Sequence, residues 1–304
     1  NFLINIVTFL RDMRIKTIIQ LVRPSLLFTF IDNQSRLGRV VNTYYPNINY
    51  ITIQNSIKRS WEYSPICNHD KYFAFSKTEV EKIKNMGWRF NKIYSNGSFR
   101  AAQILKDKEL SFNVCRDILV VSGWRGNIEI DEDYLKQIEA MKNMNKMLFN
   151  YVNQRKIKLS ILTRTIKYDD HWFVPYYKMS EEDFIKSIYG TNVEIIQNRK
   201  NGSLLYEEAA KSKISIGSLS SAIYELSLYG FDAFYLNLHK SDKYHKDFPN
   251  EISYKIDSQN KLNKILDSKL NKEFKLNFIK KESNKKAINN LQFLKKVINE
   301  NLKD

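Results

Sequence analysis

The chain has 304 residues, 43% hydrophobic and 13% aromatic, with a net charge of +16 at neutral pH. That length exceeds one ordinary domain, and plentiful aromatics with only 9 Gly and 5 Pro exclude a disordered or fibrous chain. The basic balance suits nucleic acid, an anionic membrane surface or phosphorylated substrates, although a Lys- and Asn-rich genome produces the same excess.

Cys67 and Cys115 form neither a disulfide framework nor a zinc pattern, so a reducing, cytoplasmic compartment is expected. The histidines, His69, His171, His239 and His245, lack metal-ligand spacing, and no metal or cofactor is expected. No run of about 18 apolar residues reaches membrane-spanning length. The opening "NFLINIVTFLRDM" lacks the basic start and cleavage site of a signal peptide. It also lacks an initiator Met, which implies a start inside a longer reading frame and an earlier strand.

In chain order, residues 1–22 read as a helix ending before Pro24. "SLLFTFI" (25–31) is a continuous apolar run, hence a buried strand. "NQSRLGRVVNTYY" is helical, and "NYITIQ" (49–54) and "YFAFS" (72–76) are strands. Ser76 can cap a helix that stops at Gly87, and "NKIYSNGS" (91–98) is a short strand running into a turn.

A second series begins with the strand "DILVVSG" (117–123), followed by a long helix at 131–153 with an acidic start. Strands follow at 157–163 and "VEII", separated by a capped helix at 180–190. Then come a helix at 203–212, the strand "KISIG" (213–217), the helix "SAIYELSLYG" and the strand "DAFYLNL" (232–238). The tail from 258 to 304 reads as helix with 12 Lys against 5 Asp or Glu, a solvated basic face or a membrane-docking one.

Strands alternating with helices give an α/β fold with parallel sheets. Two such series predict two Rossmann-like domains facing a central cleft. The expected boundaries are 1–110, 111–270 and a basic helical tail at 271–304.

In open parallel sheets, ligands sit beyond the carboxyl ends of the strands. "SIGSLSSAIYE" places Ser220 and Ser221 at such an end, where a helix N-terminus offers free amides to an anion. Helix capping alone also explains a serine there, but Glu225 misses the capping-box position and shares a face with Ser221. Asp32 and Asn33 end the first buried strand, so Asp32 is either a base or nucleophile, or the cap of the next helix. "VSGWRGN" (121–127) and "LTRT" (162–165) put Arg125, Gly126 and Arg164 past two more strands, where the arginines suit phosphate. "IQNSIKR" (53–59) and "NGSFRAA" (96–102) put Gln54, Asn55, Ser98 and Arg100 at first-domain strand ends, as acceptor-side groups or as turn formers. "KYDDHWFVPYYK" (167–178) reads as a substrate-binding loop.

Taken in order, "TFIDN", "ITIQNS" with "KR", "GSFR", "VVSGWRGN", "LTRT" and "SSAIYE" resemble bacterial surface-carbohydrate and capsule biosynthesis proteins over roughly residues 25–240. These are similar to GT-B glycosyltransferases, and more distantly to Kdo transferases, sialyltransferases and glycerophosphotransferases. The chain departs from the pattern at Ser56, Ala222 and Ile223 and has no His-Pro pair.

The resemblance implies a metal-independent glycosyltransferase for surface polysaccharide, with a nucleotide-sugar donor, CMP-activated being one option, and a glycan or lipid-linked acceptor. It implies that Ser220 and Ser221 hold the donor phosphate, that Glu225 holds the ribose and that Asp32 faces the reacting carbon. Peripheral contact of the basic C-terminal helices with the inner face of the membrane is a further expectation. A catalytically degenerate GT-B partner protein is the alternative. A nucleic-acid binder is a third reading, which no nucleic-acid-binding motif supports.

Overall fold

Most element boundaries of the described chain follow from local chemistry. The structure, a computed structural model, describes residues 2–32, 35–58, 66–124, 132–164, 180–199, 202–218, 220–238, 249–272 and 276–302. Asn33, Arg125, Gly126, His171, His239, His245 and the 167–178 loop lie outside those residues.

The chain divides into two compact units, residues 1–102 with 288–304, and residues 103–287. The first opens with α1 (Phe2–Val22), β1 (Leu26–Thr29), α2 (Ser35–Tyr44), β2 (Asn49–Ile53) and β3 (Asn68–Ala74). It continues with α3 (Lys77–Asn85), β4 (Arg89–Ser95) and α4 (Phe99–Asp107), the last running across the boundary. The four strands pair in chain order and all are parallel. Ser76 caps α3 by accepting from the amide of Glu79 at 3.1 Å, as its position before "KTEV" predicts. Sequence periodicity did not resolve α4, which starts within a Gly-Ser turn.

The second unit holds β5 (Arg116–Val121), α5 (Glu132–Arg155), β6 (Leu159–Leu162), α6 (Glu181–Tyr189) and β7 (Glu194–Ile196). It goes on with α7 (Leu204–Ala210), β8 (Ser212–Gly217), α8 (Ser221–Leu228), β9 (Ala233–Asn237), β10 (Ser253–Lys255) and α9 (Gln259–Leu270). The sheet order is β10-β9-β8-β5-β6-β7, parallel throughout. Counted within the unit, that is the doubly wound 6-5-4-1-2-3 arrangement, whose direction of winding reverses between β5 and β8. The core beneath it joins Ile118, Val120 and Ile214 of the strands to Leu148 and Tyr151 of α5 and Leu266 of α9.

The last helix, α10 (Leu276–Asn301), carries the chain back to the first unit. Its Val297 is buried against Ile51, Ile53 and Phe73 of the first sheet, with Phe293 and Leu294 beside it.

Candidate functional site

Two sheet edges carry the residues singled out by sequence, one in each unit. In the second unit, the crevice between the carboxyl ends of β5 and β8 is the topological switch point, where doubly wound sheets bind ligands. Gly217 ends β8, and a β-carbon there would stand 2.9 Å from Ile223 and 3.2 Å from the Val121 carbonyl. Glycine therefore lets α8 close on the strands. Gly123, after β5, faces Ser218, after β8; a β-carbon on Gly123 would lie 3.0 Å from the Ser218 hydroxyl.

Ser218 is only 8% exposed, and among the described residues its hydroxyl has no hydrogen-bond partner. A buried polar atom with no partner costs about 1–3 kcal/mol, so its retention calls for an explanation. Two residues on, Ser220 adopts the extended conformation of a cap, and its hydroxyl accepts from the Ala222 amide at 3.3 Å. The carbonyl of Ser220 accepts from the Tyr235 hydroxyl at 2.7 Å, which ties the loop to β9. Ser221 is the first residue of α8 and is half-buried.

Glu225 sits one turn into α8 and is 1% exposed; it accepts from the Tyr206 hydroxyl of α7 at 3.0 Å. Arg164, after β6, is exposed, and its guanidinium donates to the Trp124 carbonyl at 3.1 Å. Its amide donates to Glu181 at 2.9 Å. Arg164 thus links the loops after β5 and β6 at the same edge, while Trp124 is anchored against Phe184. The structure brings Ser220, Ser221 and Arg164 to one sheet edge and puts Glu225 inside.

In the first unit, Asp32 is fully buried. One carboxylate oxygen lies 2.7 Å from the Lys58 ammonium. The other accepts from the Tyr72 hydroxyl at 2.8 Å and, more weakly, from the Asn55 amide at 3.4 Å. Burial and the neighbouring Asp32 charge push the Tyr72 hydroxyl's pKa well up, so it stays a donor.

A second buried carboxylate, Glu79, accepts from Gln54 at 2.6 Å and from the Lys58 amide at 3.1 Å, and pairs with Lys82. The Gln54 carbonyl accepts from the Phe75 amide at 2.8 Å. Two buried carboxylates therefore hold the 54–58 segment. Asn55 remains exposed, Ser98 is buried with its hydroxyl accepting from the Ala101 amide at 3.3 Å, and Arg100 is exposed on the first turn of α4.

His69 lies beneath this network, ringed by Tyr50, Tyr72, Trp88 and Phe90. Burial, with help from the Lys58 charge, lowers its pKa to about 4. It is a neutral core residue in contact with Thr52 at 3.0 Å.

Sequence reasoning missed Lys58, Tyr72, Glu79 and Ser218 as parts of these sites. Lys58 and Ser218 sat inside segments already singled out. Only the fold reveals that Lys58 faces Asp32 and that Ser218 faces Gly123.

No protein-family model and no curated protein matches the sequence. Solved structures do match. A protein from Listeria monocytogenes superposes with a TM-score of 0.60 at 14% identity, over 96% of this chain and 80% of that one. MnaA of S. aureus, solved with UDP, gives 0.57 at 14% identity over 96% and 79%. The UDP-GlcNAc 2-epimerase of Methanocaldococcus jannaschii, in complex with UDP-GlcNAc and UDP, gives 0.55 at 13% identity over 95% and 80%.

The chain has a GT-B-type fold. At such low identity the likeness establishes the architecture alone, and the chemistry has to come from the residues at the two sheet edges. Among the described residues, no helix of the chain is long and apolar enough to cross a membrane.

Proposed function

We propose that the β5/β8 crevice of the second unit binds the phosphate of a nucleotide-activated sugar, and that the protein is a glycosyltransferase of bacterial surface-polysaccharide synthesis. The observation that carries this reading is the Ser218 hydroxyl, buried and without a partner, at the switch point beside Gly123 and the N-terminus of α8. A phosphate oxygen supplies the missing partner, and the amides of the first turn with the positive end of the helix dipole favour its charge. Ser221 and Arg164 add donors at the same edge.

In this reading the leaving phosphate is stabilised by fixed protein donors and needs no metal. Asp32 and Glu225, engaged by Lys58 and Tyr206, act as positioning residues: Asp32 holds the 54–58 segment, and Glu225 holds α8 beneath the phosphate. Asn55, Ser98 and Arg100 stand on the acceptor side.

A panel of cytidine and uridine mono- and diphosphates, assayed by thermal shift with and without EDTA, tests the binding. Stabilisation by at least one nucleotide in both conditions is expected, and silence across the panel would remove the proposal. A second reading, a GT-B partner protein without transferase activity, draws on one observation. Both candidate carboxylates are already occupied by protein groups. Nucleotide binding without sugar transfer or donor hydrolysis, tested with nucleotide sugars of both bases, would favour it.

A further inference from the structure

The turn that carries Ser218 is anchored at both ends. At its start, Gly217 leaves no room for a β-carbon between Ile223 and the Val121 carbonyl. At its end, the Ser220 carbonyl accepts from the Tyr235 hydroxyl at 2.7 Å. Tyr235 is fully buried on β9, directly opposite Gly217 in the register with β8. From there its side chain reaches beyond the strand end to the cap of α8.

A buried tyrosine hydroxyl ordinarily finds an acceptor, and that alone explains one hydrogen bond. The choice of acceptor is more specific. The Ser220 carbonyl already accepts from the Ile223 amide at 3.2 Å, within the first turn of α8. The Ser220 hydroxyl is used as well, by the Ala222 amide. The start of the helix is therefore satisfied without Tyr235, and the tyrosine supplies no missing partner there. It supplies a fixed orientation for the Ser220 peptide, and with it a fixed path for the chain back to Ser218.

Ser218 cannot fix its own position, because among the described residues its hydroxyl bonds to nothing. A binding group without local support is held only as precisely as the backbone that carries it.

We infer that Tyr235 is a positioning residue of the phosphate site. It touches no ligand; it holds Ser220 so that the Ser218 hydroxyl stays beside Gly123 in the crevice. The inference rests on the phosphate site proposed above.

Tyr235→Phe tests it. The ring stays, only the hydroxyl goes, and the Ser220 carbonyl keeps the Ile223 amide, so that acceptor is not stranded. Isothermal titration with CMP, CDP, UMP and UDP, well below the melting temperature, compares wild type, Tyr235→Phe, Ser218→Ala, the double variant and Tyr189→Phe. Tyr189→Phe is the control, since the Tyr189 hydroxyl donates to Asn145 at 2.8 Å within the core of the same unit.

Tyr235→Phe should weaken binding of the nucleotide that wild type takes by about two- to tenfold, the worth of one hydrogen bond. In the Ser218→Ala background the same change should have no further effect, because Tyr235 acts through that hydroxyl. Tyr189→Phe should lower the melting temperature and leave affinity unchanged, as the loss of a purely structural bond does. Equal affinities of wild type and Tyr235→Phe would overturn the inference while leaving the phosphate site standing. An equal loss in both backgrounds would overturn it too. Silence of wild type toward all the nucleotides would remove the phosphate site itself, and the inference with it.

Discussion

Asp32 shows how much a single side chain's meaning depends on its surroundings. After an apolar strand it read equally as a base or as a cap, and local sequence offers nothing to separate the two. The fold puts Lys58 and Tyr72 against its two oxygens, and a carboxylate so engaged fixes structure before it does chemistry. Removing one partner of a buried ion pair strands the other charge and costs about 3–5 kcal/mol. Asp32→Asn and Lys58→Met should each lower unfolding free energy by about that much in urea titrations. The double variant should recover a large part of the loss; additive losses would show that the two residues are not coupled.

His69 makes a second prediction at this scale. Its folded pKa, about 4, lies below its ordinary value of 6.5, so the unfolded chain binds the extra proton between those limits. Stability therefore falls as pH drops from about 6.5 to about 4, by about 3 kcal/mol in total from this residue. His69→Gln should flatten that part of the stability profile relative to wild type. An unchanged slope would place the histidine in contact with solvent.

Among elements, the strands and capped helices were the most legible features. "KISIG" and "DILVVSG" declared themselves through apolar runs bounded by glycine, and Ser76, Ser180 and Ser220 all cap the helices that follow them. The short β10 and the helix α4 were not legible, because three apolar-polar residues and a Gly-Ser turn carry too little periodicity. The tail was read as basic helix, as it is, but its docking on the first sheet involves contacts some 200 residues apart that no local pattern encodes. For α8, the capping role of Ser220 and a ligand role coexist. Ser220→Ala should cost about 1 kcal/mol of stability by loss of the cap. Thermal unfolding measures it, and no change in melting temperature would mean the α8 amides are satisfied without Ser220.

At the scale of the molecule, the paired α/β series predicted two Rossmann-like units and the resemblance implied the GT-B architecture, and the two parallel sheets and the matching solved structures show that fold. What the order of elements along the chain could not supply was which loops adjoin. The 6-5-4-1-2-3 winding makes neighbours of Gly123 and Ser218, 95 positions apart in sequence, and turns an unremarkable serine into the centre of the proposed phosphate site. Sequence alone favours Ser220 and Ser221 over Ser218, because only the pairing of β5 with β8 brings Ser218 beside Gly123.

One substitution separates binding from folding there. A buried hydroxyl without a partner contributes nothing to the fold, so Ser218→Ala should leave the melting temperature unchanged or slightly raised. If the hydroxyl meets a charged phosphate, its loss should weaken nucleotide affinity by at least about tenfold. Isothermal titration of wild type and Ser218→Ala with CMP, CDP, UMP and UDP decides the matter. Tighter binding of at least one nucleotide by wild type, at equal stability, is the result the phosphate site predicts. Equal affinities, or no binding by wild type, would contradict it.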